Sequence, residues 1–111
     1  MDVSKLITIG ITAYREGSYL QYAWNSILDQ STASWNAIIV LDGGADKKTI
    51  SIFNKIHHPN LKKIIIKENK GAYYCRTQAI QKTNTQWYCH LDADDTLPKN
   101  FSRKSFIFHL F

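Results

Sequence analysis

The chain has 111 residues, a hydrophobic fraction of 44% and a formal net charge of +5 at pH 7. This size suits one domain with a single hydrophobic core, and the apolar content excludes a disordered chain. No apolar run approaches the roughly 20 residues that a membrane-spanning helix needs. The N-terminal residues also lack the pattern of a signal peptide, so we expect a cytoplasmic protein.

The basic residues occur mostly as scattered pairs, such as Lys47-Lys48 and Lys62-Lys63. Such pairs allow binding to a phosphate-bearing ligand or peripheral association with the inner face of an anionic membrane. They do not form the dense stripe or recognisable module of a nucleic-acid-binding protein. We therefore expect no nucleic-acid partner.

In chain order, the first half of the sequence predicts two strands that alternate with two helices. Lys5–Ile11 is rich in β-branched residues and is typical of a strand, and apolar residues at helical spacing follow over about Ser18–Asp29. Ser18 is the expected N-cap of this helix. Ala37–Leu41 is almost wholly apolar, which indicates a strand buried on both faces. A helix capped by Asp46 and running to about His57 comes next.

The second half continues the alternation. The pattern predicts a strand over Leu61–Ile66, a helix from Ala72 to about Lys82, and a strand over Gln86–Leu91. Pro98 is well placed to open a last helix through Phe101–Phe108. This order predicts an α/β fold, a Rossmann-like parallel sheet with helices on both faces and right-handed crossovers.

The two cysteines, Cys75 and Cys89, lack CxxC spacing, and both fall in predicted regular elements. We expect them to be small buried hydrophobic residues rather than a disulfide or a zinc pair.

Polar clusters follow three of the predicted strands. Thr12-Ala13-Tyr14 follows the first, Asp42 the second, and Asp92, Asp94 and Asp95 the fourth. The carboxyl ends of parallel strands share one edge of the sheet, where such folds bind ligands. Alternation along an extended segment would project Asp92 and Asp94 the same way. The repulsion between these carboxylates falls if Mg²⁺ or Mn²⁺ lies among them. The plainer alternative is a solvated acidic turn without a metal ion.

Five segments in register resemble motifs of the family 2 glycosyltransferases, which have the GT-A fold and use nucleotide-diphosphate sugars. The resemblance covers roughly residues 5 to 105. The family's motifs are Pro-x-Tyr-Asn, Ser-Ile-Leu-x-Gln-Thr, Val-Asp-Asp-Gly-Ser-x-Asp, Asn-x-Gly followed by Ala-Arg-Asn-x-Gly-Ile, and Leu-Asp-x-Asp-Asp. Their counterparts here are Thr12–Arg15, Ser26–Ser31, Val40–Asp46, Glu68–Gly71 followed by Cys75–Ile80, and Leu91–Asp95.

The resemblance implies a UDP-sugar donor, a Mn²⁺ or Mg²⁺ cofactor, and a role for each matching residue. Thr12 and Tyr14 would line the base and ribose pocket, with Tyr14 packing on uracil. Asp42 would accept a hydrogen bond from the imide of the base, and Arg76 would face the diphosphate. The implied nucleotide-sugar-binding residues are Thr12, Ala13, Tyr14, Glu16, Asp42, Gly71, Arg76, Asp92 and Ala93, and the implied metal-binding residues are Asp94 and Asp95.

Some of these residues also have a plainer interpretation. Asp42 precedes two glycines and is equally typical of a turn. The residues themselves favour packing roles for Tyr73, Tyr74 and His90. Leu41 stands where the family carries the first Asp of its Asp-Asp pair, which puts the fine specificity for the nucleotide in doubt.

Family members continue past the DxD segment and supply there the carboxylate that deprotonates the acceptor. No carboxylate of this chain matches that position, so we expect the catalytic base of an inverting transfer beyond residue 111. The chain then resembles the N-terminal, donor-binding half of a glycosyltransferase, a single domain over residues 1–111, with an unknown glycan or lipid-linked acceptor. The apolar end, Phe106–Phe111, would pack against further residues or pair with another copy.

The sequence leaves three other hypotheses about function open. The first is a nucleotide-sugar-binding module without turnover. The second is a receiver-like phosphoacceptor domain, which would need an acidic pair after the first strand where Thr12-Ala13-Tyr14 stands. The third is a nucleotidyltransferase, which would need a glycine-rich basic loop at the same place.

Overall fold

The computed structural model describes residues 5–31 and 34–101. Within them lie four strands and three helices that alternate along the chain. All strand pairs are parallel, and the order in the sheet is β3-β2-β1-β4. The elements are β1 Ile7–Ala13, α1 Ser18–Leu28, β2 Trp35–Leu41, α2 Lys47–Lys55, β3 Leu61–Ile65, α3 Ala72–Gln81 and β4 Trp87–Asp92.

The ends of the strands differ from the sequence prediction, because pairing with neighbouring strands decides them. Ile7 pairs with both Trp35 and Trp87, so β2 begins at Trp35 rather than at Ala37. β1 continues through Ala13, which pairs with Leu41. Thr12 and Ala13 therefore belong to β1 instead of following it.

One of the two predicted helix caps is confirmed. Asp46 precedes α2, and its side chain accepts a hydrogen bond from the backbone N–H of Thr49. The expectation for Ser18 was wrong, because Ser18 is the first helical residue and Gly17 holds the cap position without a side-chain bond. The Gly17 N–H instead donates to the Thr49 hydroxyl at 2.9 Å, which ties the start of α1 to α2.

Helices cover both faces of the sheet, as predicted. On one face, Leu20, Trp24 and Phe53 from α1 and α2 share a core cluster with alternate residues of the strands. On the other face, α3 buries Cys75 and Ala79 against a second cluster from the strands. Each strand of the middle pair is buried because both of its faces meet a helix.

Both cysteines are free and buried, as the sequence predicts. Across residues 5–31 and 34–101, no helix is long and apolar enough to cross a bilayer. Of the predicted last helix, which opens at Pro98, only Pro98–Phe101 fall within the described residues, and Phe101 packs against the first core cluster. The predicted apolar segment Phe106–Phe111 lies outside them.

Candidate functional site

The ends of β1, β2 and β4 bring the predicted polar residues to one edge of the sheet. Thr12 and Ala13 close β1, Asp42 follows β2, and Asp92 is the last residue of β4. Thr12 pairs with Asp92, and Ala13 pairs with Leu41, so these ends are neighbours. The chain passes from one side of β1 to the other between β3 and β4, and such a switch point is where open α/β sheets bind ligands.

A tight turn gathers the three carboxylates after β4. The Asp95 N–H donates to the Asp92 carbonyl at 2.9 Å, which ends the strand and reverses the chain. Carboxylate oxygens of Asp92, Asp94 and Asp95 all lie within 4.8 Å of one another, and all three residues are exposed. The expected strand alternation between Asp92 and Asp94 was wrong, because Asp92 is the last extended residue. The turn at the end of β4 brings the three carboxylates together instead.

Asp42 is buried at the centre of the edge, and its carboxylate organises the backbone around it. Its Oδ1 accepts from the N–H groups of Gly43 and Lys70, and its Oδ2 accepts from the N–H of Gly71, each at 2.9 Å. The two interpretations of Asp42 from sequence, as a turn residue and as a site residue, are therefore compatible. Asp42 is a turn residue that holds a loop, and it also lines a pocket.

The loop of residues 67–71 is held against β2 in two further ways. Gly43 lies so close to it that a Cβ would come within 2.5 Å of the Glu68 carbonyl carbon, so no larger residue fits here without moving the loop. On the outer side, the Asn69 side-chain amide donates to the Tyr14 hydroxyl at 3.0 Å. Tyr14 in turn has its backbone N–H bonded to Glu16 Oε1 at 2.6 Å. These contacts fix the loop beside β1.

We call the cavity between this loop and β1 the base pocket, after the part of the ligand that the family resemblance predicts there; its volume is about 230 Å³. Six of the predicted nucleotide-sugar-binding residues line it, namely Thr12, Ala13, Tyr14, Glu16, Asp42 and Gly71. Three residues that sequence reasoning missed complete the wall, namely Asn69, Ala72 and Cys75.

A second cavity adjoins the base pocket and also has a volume of about 230 Å³. We call it the phosphate pocket, because the family resemblance predicts that Arg76 in its wall faces a diphosphate. Thr12 and Ala72 line both cavities. Two of the predicted nucleotide-sugar-binding residues, Arg76 and Asp92, line this cavity, and their roles stay predictions. Tyr73 and His90 also line it and were missed. A packing role for Tyr73 was wrong, since the residue is 84% exposed. The sequence does offer a signal for His90. Side chains alternate along β4, so His90 and Asp92 lie on the same side of the strand.

Two side chains in the walls of these pockets, His90 and Cys75, have strongly shifted pKa values. Burial, and secondarily the Arg76 charge, lower the pKa of His90 to about 4, although Asp92 acts in the opposite direction. His90 is therefore a neutral imidazole at pH 7. Burial, together with the Asp42 carboxylate, raises the pKa of the Cys75 thiol to about 11. Cys75 is thus a neutral wall residue rather than a nucleophile.

Among the predicted nucleotide-sugar-binding residues, Ala93 is the one that lines neither cavity. It is buried in the first core cluster, which anchors the turn between Asp92 and Asp94.

A third hollow, about 380 Å³, lies away from the carboxylates and is lined partly by His58 and Lys63. His58 Nδ1 already accepts a hydrogen bond from the Asn60 N–H, and Lys63 Nζ donates to the Ile56 carbonyl. It offers no comparable chemistry.

Comparison with known proteins agrees with this geometry. The sequence model of the family described as Glycosyl transferase family 2 matches residues 8–105. This chain belongs to that family. The match spans the base pocket, the phosphate pocket and the three carboxylates.

Curated relatives of this family 2 chain include two large bacterial polymerising enzymes. The chain is 36% identical over 93 residues to the teichoic acid poly(glycerol phosphate) polymerase of Staphylococcus epidermidis, covering 82% of this chain and 13% of that protein. It is 30% identical over 93 residues to chondroitin synthase of Pasteurella multocida, covering 83% of this chain and 10% of that protein. The family 2 chain thus spans a small part of either relative.

Solved structures confirm the predicted GT-A fold. The chain superposes on S. aureus TarS 1-349 in complex with UDP-GlcNAc with a TM-score of 0.76 and 22% identity, covering 85% of this chain and 28% of that one. It superposes on the mannosyltransferase PcManGT of Pyrobaculum calidifontis in complex with GDP-Man and Mn²⁺ with a TM-score of 0.73 and 18% identity, covering 83% and 28%.

The carboxylate cluster of this family 2 chain fits a divalent metal ion. Exposed carboxylate oxygens within 4.8 Å of one another can turn toward a common point. They are the hard ligands that Mg²⁺ and Mn²⁺ take, and a phosphate ligand can complete the coordination. Divalent metal use is common among GT-A glycosyltransferases, and the PcManGT complex contains Mn²⁺.

Proposed function

We propose that this chain is the donor-binding part of an inverting glycosyltransferase that takes a UDP-sugar together with Mn²⁺ or Mg²⁺. The observation that supports this most is the continuity of the site. The base pocket and the phosphate pocket share Thr12, and Asp92 belongs both to the phosphate pocket and to the carboxylate cluster. A nucleoside, its phosphates and a cation therefore have adjacent places along one edge.

The base pocket suits a uridine. Tyr14 lines the base pocket and brings an aromatic ring that can pack on a planar base. Asp42 Oδ1 already accepts two N–H bonds, but Oδ2 accepts only one backbone bond and can take an imide N–H. A base with an imide donor is favoured for this reason. The complexes of TarS with UDP and UDP-GlcNAc support the same choice.

The phosphate pocket suits a diphosphate. Arg76 brings a permanent positive charge and a planar fork of donors, which matches phosphate oxygens. Asp94 and Asp95 would hold the metal ion, and Asp92 would contact the ribose or the sugar. When bound, such an ion stabilises the negative charge that develops on the leaving diphosphate.

The acceptor side of the reaction lies outside these two pockets. We propose that a glycan or a lipid-linked hydroxyl compound is the acceptor, and that its general base comes from residues other than those assigned here. The alternative is a module that binds nucleotide-sugars without turnover. Turnover with an acceptor separates these two functions, whereas both require metal-dependent binding.

The test is calorimetric titration of UDP and UDP-GlcNAc with Mn²⁺, with Mg²⁺ and with a chelator. We expect binding only with a metal ion, because the carboxylates otherwise repel the diphosphate. Asp94→Ala and Asp95→Ala should each weaken binding at least about 10-fold. Their fold should persist, since both side chains are exposed.

Asp29→Ala is the matched control, because Asp29 is an exposed carboxylate at the far end of α1. It should leave binding unchanged. Equal affinity with metal and with chelator would remove the metal role, and no nucleotide binding under any condition would overturn the proposed function.

A further inference from the structure

His90 connects the two pockets to the carboxylate cluster through side-chain contacts. Its Nδ1 lies 3.0 Å from the Tyr88 hydroxyl. Its Nε2 lies 3.4 Å from Thr12 Oγ1 and 3.4 Å from Asp92 Oδ1. The imidazole is largely shielded from solvent, with 12% of the side chain exposed, whereas 61% of the Asp92 side chain is exposed. A fixed ring therefore contacts a carboxylate that has few other restraints.

Tyr88 is held in place by the packing of the sheet. It is buried beneath α3, and its ring lies directly over Gly10 of β1, where a Cβ would collide with the Tyr88 hydroxyl. Burial also holds the pKa of Tyr88 above its usual range, so the hydroxyl keeps its proton. The O–H group therefore reaches His90 from a rigid position.

These contacts determine which ring nitrogen carries the proton. An ionised carboxylate only accepts hydrogen bonds, so the nitrogen facing Asp92 must be the donor. We assign the Nε2–H tautomer on this ground. In a neutral ring Nδ1 is then an acceptor, and the Tyr88 hydroxyl is the group placed to donate to it. The Tyr88 hydroxyl then donates to His90 Nδ1, and the Nε2–H group faces Asp92 Oδ1 and Thr12 Oγ1.

We propose that His90 is a positioning residue of the donor site, which restrains the Asp92 carboxylate through Nε2–H with Tyr88 as its support. This role rests on the proposed function, in which Asp92 contacts the ribose or sugar. Without the N–H group, an exposed carboxylate beside two others is free to rotate away from the pocket. Ordering it again on binding costs side-chain entropy.

The binding test compares two substitutions at His90. His90→Phe keeps a ring of similar volume but removes both nitrogens, and His90→Gln restores an N–H donor at the reach of Nε2. We expect His90→Phe to weaken UDP-sugar binding with Mn²⁺ about 3- to 10-fold, and His90→Gln to recover most of the loss. A residue that acted only through packing would give the opposite order.

A double-mutant cycle tests whether the effect passes through Asp92. Introduced into the Asp92→Ala variant, His90→Phe should weaken binding no further, because the group that it positions is gone. Additive losses would overturn the role, provided that thermal unfolding shows both variants to be folded.

A readout without nucleotide separates this proposal from the proposed function. Ring nitrogen shifts in a ¹⁵N spectrum, assigned through His90→Gln, should show the Nε2–H tautomer at pH 7. The Nδ1–H tautomer would overturn the proposal even if nucleotide binds. Nucleotide binding that is absent although the Nε2–H tautomer is present would overturn the proposed function, and the positioning role with it.

Discussion

The Asp42 carboxylate has two tasks that compete for the same oxygens. The N–H groups of Lys70 and Gly71 donate to it and hold the loop of residues 67–71, and the Gly43 N–H donates to it within the turn after β2. The proposed base imide would use the acceptor capacity that remains on Oδ2. Removing the side chain therefore affects both the shape of the base pocket and the recognition of the base.

We predict that Asp42→Ala weakens UDP binding roughly 10- to 100-fold, since a hydrogen bond to a charged group contributes about 1.5–3 kcal/mol. Metal dependence should remain. CDP lacks the imide proton, so Asp42→Ala should weaken CDP binding less than UDP binding. Titration of both nucleotides measures the difference.

Glu68→Ala is the control for this prediction, because Glu68 lies on the same loop with its side chain 82% exposed. It should change neither affinity. Equal losses for UDP and CDP would assign Asp42 to the loop alone, and no loss for either would contradict any role in the site.

Sequence reasoning located those site residues whose place follows from the end of a strand. Thr12, Asp42 and Asp92 are of this kind, because parallel strands bring their carboxyl ends together. Asn69 could not be found in this way. Its bond to Tyr14 joins residues far apart in the chain, and only the folded loop brings them together.

At the scale of the elements, the start of α2 depends on Asp46. Hydrogen bonds from the Thr49 hydroxyl and backbone N–H hold the pKa of Asp46 below its ordinary value. A carboxyl group with a lowered folded-state pKa stabilises the fold above its unfolded-state pKa. That contribution is lost as the pH falls through the folded-state value.

We predict that Asp46→Ala lowers the midpoint of thermal unfolding by a few degrees at pH 7, because the cap is lost. Asp46→Asn keeps a capping oxygen without the charge. The stability advantage of the wild type over Asp46→Asn should therefore shrink between pH 7 and about pH 3. Urea unfolding at both pH values checks this, and an advantage that does not change with pH would contradict it.

The sequence predicted the existence and type of all seven described elements but not all of their ends. Periodicity depends on the interior of an element, whereas an end depends on its neighbours. β2 begins at Trp35 because Ile7 of β1 is there to pair with it. β4 ends at Asp92 because the Asp95 N–H closes a turn on that carbonyl.

At the scale of the molecule, the alternation of strands and helices was enough to predict a parallel sheet covered on both faces. The strand order β3-β2-β1-β4 was not predictable from the same pattern. Periodicity identifies a strand and the faces that it buries, but it does not select which strands become neighbours.

The residues that we propose for the site all serve the donor and do not include a general base, so a polypeptide that relies on them alone should bind the donor without transferring it. We predict no transfer to an acceptor at an enzymatic rate, because general-base assistance alone is typically worth about 10²–10⁴-fold. Slow hydrolysis of the UDP-sugar is the most activity expected. An assay of UDP release with a broad acceptor panel measures this.

Asp94→Ala is the control for that assay, since any genuine hydrolysis should fall with the metal site. Rapid acceptor-dependent turnover would contradict the prediction. It would direct attention to Glu16 and Glu68 as candidate bases.

The base pocket takes its walls from three separate regions of the chain, residues 12–16, Asp42, and residues 69–75. A nucleotide bound there acts as a non-covalent cross-link between β1, β2 and α3. The unfolded chain has no such pocket, so a ligand at 100 times its Kd adds about 2.7 kcal/mol to the free energy of unfolding. A melting-temperature screen can therefore rank candidate donors before any acceptor is known.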